Sequence, residues 1–119
     1  MPPKSRRRPG AVSRRGGSYA RKPALTRSLA LETGEHGITV NAIAPGAVRG
    51  ERIEAVVKAR AAALNRRPED IEREFFIDST ALKRIVEPEE IAAAALYFCS
   101  EEARNVTGET LAVSAGFRL

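Results

Sequence analysis

Side chains able to do chemistry are sparse in this sequence, and their number narrows what they could do. His36 is the only histidine and Cys99 the only cysteine, so no disulfide can close within the chain and no zinc constellation can be assembled. No metal is expected. His36 stands beside Gly37 in a turn and reads as a surface residue. Cys99 ends an apolar helical stretch, where a cysteine serves as core unless half of that core is missing and leaves it exposed. Tyr19 admits two readings, a proton donor or an aromatic in a frayed segment beside a basic tail. Lys22, three residues on, shares them.

Those residues need elements to hold them, and 119 residues with 43% hydrophobic content support one modest domain. The net charge of +5 is unevenly spread: residues 1–27 hold nine Lys or Arg and no acid, and the remaining eleven bases face all fifteen acids. The body is therefore mildly acidic and the basicity belongs to the tail. Residues 1–17 are almost wholly Pro, Arg, Ser, Gly, Lys and Ala, too poor in apolar surface to offset the entropy of ordering, and are expected to be a disordered basic tail ahead of a folded part over 18–119. A basic arm can bind nucleic acid through counterion release, but a solvated tail is the preferred reading. No run of eighteen apolar residues occurs and the Arg-rich start lacks the apolar segment of a secretory signal, so a soluble cytoplasmic protein without a membrane association is expected.

Periodicity places the elements. Ala24, Leu25, Leu29 and Leu31 predict a helix over 23–32, with Pro23 in its first turn, closed by Thr33 and Gly34. The β-branched, mostly apolar run 38–44 predicts a strand covered on both faces, ended by Pro45 and Gly46. Ile53, Val56, Val57, Ala61 and Leu64 recur at helical spacing. Another helix starts near Pro68, carries Ile71, Phe75 and Phe76, and ends at Ser79 or Thr80. Glu87, Pro88, Glu89 and Glu90 open a helix whose segment 91–99 is apolar enough to predict that it is largely buried. A last strand is predicted over 109–113. A strand built for the middle of a sheet, with no neighbours in the chain, predicts association or poor solubility.

Three segments in this order resemble the short-chain dehydrogenase/reductase family: Lys22-Pro23-Ala24-Leu25-Thr26-Arg27-Ser28-Leu29-Ala30-Leu31-Glu32, Ile38-Thr39-Val40-Asn41-Ala42-Ile43-Ala44-Pro45-Gly46 and Val106-Thr107-Gly108-Glu109-Thr110-Leu111-Ala112-Val113. The resemblance runs from Tyr19 to about Gly116. It implies an α/β fold, the carboxyl-terminal part of a doubly wound Rossmann-type domain, with the amino-terminal nucleotide-binding half missing. Family members are NAD- or NADP-dependent oxidoreductases of alcohols and carbonyls, with a glycine-rich turn that seats the pyrophosphate at a helix N-terminus. No such turn stands here, so this chain alone is expected to bind neither cofactor and to be inactive.

The family's catalytic Tyr is followed four residues later by a Lys. By resemblance Tyr19 and Lys22 are the catalytic candidates, but their spacing of three turns one of them about 100° out of register on a helix. Arg6 stands where the family places its serine. Pro45, Gly46 and Val48 resemble the loop beside the nicotinamide, with Gly50 at the position of a carboxamide-binding Thr. Ser114 and Ala115 replace the Asp and Gly of the family's ending. The first helix and last strand correspond to oligomerisation surfaces, which implies a homo-oligomer or pairing with full-length subunits of the family.

Overall fold

In a computed structural model the described residues are 16–117, with side chains described from residue 23 onward. The first helix, α1 (Gly16–Thr33), encloses Pro23 instead of opening on it. Proline removes one intrahelical donor, so the Tyr19 carbonyl has no partner one turn on. The Ser, Tyr, Ala, Arg and Lys residues ahead of Pro23 all tolerate helix, and extension from a formed turn is easier than nucleation. The helix was expected to open at Pro23 with the tail ending at residue 17; it instead begins at Gly16, two residues inside the expected tail. Thr26 and Ala30, one turn apart, are its buried positions. Gly37, at φ 73°, reverses the chain after a short 3₁₀ turn (Gly34–His36), and the His36 side chain is exposed 3.4 Å from Glu35.

Strands β1 (Ala42–Pro45) and β2 (Thr110–Val113) pair in parallel, Ala42 opposite Thr110 and Pro45 opposite Val113. The strand predicted over 38–44 is thus shorter and later. Residues ahead of it are held mainly by side chains: the Asn41 amide donates to the Val106 carbonyl at 2.9 Å, its Oδ1 accepts from the Glu109 N–H at 3.1 Å, and Thr107 Oγ1 accepts from the Val40 N–H at 3.0 Å. Asn41 therefore stands in for two ladder bonds just where the ladder begins. Covering of both faces is also not what the chain shows, since β1 is half-buried and Ile38 exposed.

Helix α2 (Glu51–Leu64) packs on α3 (Pro68–Glu72), which continues as a π-helical turn (Arg73–Ile77). Ile53, Val57 and Ala61 recur every four residues and so form one stripe, closed by Ile71, which is fully buried. The predicted single helix to Ser79 or Thr80 is divided at Arg73, where the hydrogen bonding passes from α to π register, and Phe75 and Phe76 on the π turn both pack against this cluster. Thr80 is buried beyond it, donating to the Ile77 carbonyl at 2.8 Å.

Helix α4 (Pro88–Phe98) opens with a capping box, in which the Glu90 carboxylate accepts from the Glu87 N–H at 2.8 Å. Its predicted burial is not found: none of its residues is buried, and Leu96 is 72% exposed. Two strands about 4.8 Å apart make a platform narrower than one helix with its side chains, about 10 Å across, so the described residues do not supply the surface that this apolar face would need. Cys99 is exposed for the same reason, as its second reading held. Among the described residues no helix is long and apolar enough to cross a membrane.

Candidate functional site

The parallel strands end side by side, and the loop leaving β1 is tied down on both sides. Gly46 N–H donates to the Val113 carbonyl at 3.0 Å. Val48 bridges in parallel to Val86, with Arg49 N–H donating to the Val86 carbonyl at 2.8 Å and Val86 N–H to the Ala47 carbonyl at 3.1 Å. A Cβ on Gly46 would lie 2.8 Å from the Ser114 Cα, so the glycine is required by the close approach of two backbones.

Arg49 then joins three elements at one guanidinium. Its Nε donates to Glu87 at 2.9 Å and its Nη1 to Glu72 at 3.0 Å, linking the loop to the last turn of α3 and the cap of α4. The hydrogen bond to Glu87 chiefly raises the Arg49 pKa above its ordinary value; burial opposes it, and the charges of Glu72 and Glu87 add to the rise.

Beside this loop lies an open cleft of about 670 Å³. Pro45, Gly46 and Val48 line one side; Ile53 and Val56 of α2, with Phe75 and Phe76, line the other. Clefts outside the carboxyl ends of parallel strands are where open α/β sheets bind ligands. The three loop residues expected to bind cofactor are therefore together on one wall. Tyr19 and Lys22 lie on the α1 backbone, but their side chains fall outside the described residues, as do residues 1–15 of the expected tail, Arg6 among them.

Helices α2, α3 and α4 all open on acids, Glu51 and Glu54, Glu69 and Asp70, Glu89 and Glu90, which repel a pyrophosphate where a helix dipole would otherwise attract it, whereas α1 opens on Gly16 and Gly17 with no acid in its first turn. Among the described residues no group of His, Cys, Asp or Glu side chains is placed to hold a metal ion.

Known proteins share this arrangement. The family described as Enoyl-(Acyl carrier protein) reductase matches residues 18–118, most of the chain. The chain belongs to the short-chain dehydrogenase/reductase family. It is 44% identical over 95 residues to an A-factor type gamma-butyrolactone 1'-reductase of Streptomyces virginiae, which covers 80% of this chain and 34% of that protein. Identity to the 7alpha-hydroxysteroid dehydrogenase of Escherichia coli K12 is 38% over 103 residues, 83% of this chain and 36% of the relative. The chain thus spans about a third of the length of the curated relatives it matches. The structure of L-sorbose reductase from Gluconobacter frateurii, solved with NADPH and L-sorbose, superposes with a TM-score of 0.77 at 24% identity, over 83% of this chain and 38% of that one. That likeness establishes the fold: β1, β2 and their helices are part of a doubly wound Rossmann-type domain of a short-chain dehydrogenase/reductase.

The sequence pattern pointed to the loop but missed the opposite wall. Arg52, Val56 and Arg60 stand four residues apart, one position off the buried stripe, and that spacing was the available signal that they share a second face of α2.

Proposed function

We propose that this chain is the substrate-side part of a short-chain dehydrogenase/reductase, descended from an NAD(P)-dependent oxidoreductase of alcohols or carbonyls, and that alone it transfers no hydride. The carrying observation is the cleft formed by Pro45, Gly46 and Val48 against an apolar wall, combined with the acids that open α2, α3 and α4. A nicotinamide and a carbonyl could lie against that wall. The adenosine and diphosphate have no cradle among the described residues. Titration calorimetry of the purified chain with NAD, NADH, NADP and NADPH is expected to give no binding tighter than about 1 mM, which corresponds to about 4 kcal/mol. A micromolar dissociation constant for any of the four would show a pyrophosphate site elsewhere and overturn the reading.

One observation favours a second reading, a non-catalytic module that pairs with full-length subunits of the family or with its own copies. Leu25, Leu29 and Leu31 on α1, Leu96 on α4 and Leu111 on β2 are all exposed, apolar side chains that a partner subunit could cover. Co-expression with an intact relative followed by native mass spectrometry is expected to yield mixed oligomers under this reading. Recovery of the two chains separately, each as its own species, would remove it.

A further inference from the structure

The wall of the cleft formed by α2 carries two cations. Arg52, Val56 and Arg60 follow one another at intervals of four residues, so a ligand lying along the helix meets a guanidinium, an isopropyl group and a second guanidinium. The two arginines are about 12 Å apart along the helix axis. Neither has an acidic partner among the described residues, in contrast to Arg49 and Arg66, which are paired with Glu72 and Glu87 and with Glu74. No acid lines the cleft.

Arg60 is also held in place. Its guanidinium carbon sits 4.5 Å from the centre of the Phe75 ring, a cation–π contact that steadies the group while it lines the cleft, and a guanidinium stacked flat on a ring keeps its in-plane N–H donors available to an anion. Phe75 and Phe76 thus do two things, giving an apolar bed and steadying a cation at its edge. A neutral polar ligand such as a sugar gains little from this combination. An amphiphile with an apolar body and an anionic group satisfies both parts of it, the body over Val56 and the phenyl rings and the anion on the guanidinium edge.

We propose that the cleft selects an anionic amphiphile, a substrate whose apolar portion ends in a carboxylate or phosphate, with Arg60 as the main anchor and Arg52 as the second. This rests on the cleft being the substrate wall of the reductase. It is tested on the complete chain with three probes of equal length, decanoate, decanol and decyltrimethylammonium, followed by calorimetry and by the aromatic NMR signals of Phe75 and Phe76. Decanoate is expected to bind at least about tenfold more tightly than decanol, and the cation most weakly. Replacing both arginines, R52Q/R60Q, is expected to remove that preference while decanol binding stays within twofold, and R60Q alone to remove most of it. Because Arg60 touches Phe75, the variant R60K keeps a cation and is expected to retain part of the preference. Equal binding of decanoate and decanol, or a preference unchanged in R52Q/R60Q, overturns the selection for anions and leaves the cleft assignment standing. Binding of none of the probes overturns the cleft assignment and this inference together.

Discussion

Joined to the glycine-rich turn and first strands of a full-length relative, the chain as written is expected to stay nearly inactive, and inserting one residue between Tyr19 and Lys22 is expected to raise hydride transfer at least about a hundredfold. Both residues lie on one continuous helical backbone from Gly16 to Thr33, so their spacing translates directly into angle. Four residues leave two side chains about 40° apart, and three move the second back by about 100° and one 1.5 Å rise, to about 60° on the opposite side. In the family the ammonium lowers the Tyr pKa and bonds the ribose, and that displacement takes it out of hydrogen-bond reach of at least one of them. Pro23 leaves the Tyr19 carbonyl without its donor, which weakens the helix at the point where the pair must be held. The measurement compares the two chimeras for reduction of a generic carbonyl, with cofactor binding as the check that both are folded. Equal rates would mean that the backbone absorbs the missing residue.

The second large effect is on stability. Gly46→Val is expected to destabilise the chain by about 3 kcal/mol in urea unfolding, because the first added carbon would lie 2.8 Å from Ser114 Cα and 3.2 Å from its carbonyl oxygen. Backbone cannot swing aside as the end of a flexible side chain can. The strands would have to part where Gly46 N–H meets the Val113 carbonyl, and the floor of the cleft would move with them. Gly50→Ala is the control: Gly50 is extended, at φ 165°, with nothing within 4 Å of the added carbon, and its loss is expected to stay below about 1 kcal/mol. Similar losses in both variants would show that the close approach to Ser114 carries no special cost.

Helix and strand types were legible because they rest on local patterns. The stripe Ile53, Val57, Ala61 and the Pro-led acidic starts at Pro68 and Pro88 identify α2, α3 and α4 from residues close in sequence. Burial was not legible in the same way. The apolar stretch 91–99 reports what α4 would prefer to touch, and whether anything touches it depends on strands outside the local pattern. Nor could the start of α1 be read, since Gly16 to Lys22 has no apolar spacing to distinguish a helix from a tail. At the site, Pro45, Gly46 and Val48 were found through resemblance, but the reason Gly46 must be glycine lies at Ser114, far along the chain. Arg49 was missed for the same reason, because Glu87 follows it by 38 residues.

The bond from Glu109 to Asn41 spans 68 residues, and the pairing of β1 with β2 waits for that distance to be closed. On a ribosome adding about 5–20 residues per second, β1 emerges about 3–14 seconds before its partner. Within that interval the α2–α3 hairpin, whose contacts are local, gains all its residues, whereas β1 has yet to meet β2. The share of chains that reach the paired state is therefore expected to depend on synthesis rate and chaperone supply, quantities that no side chain sets.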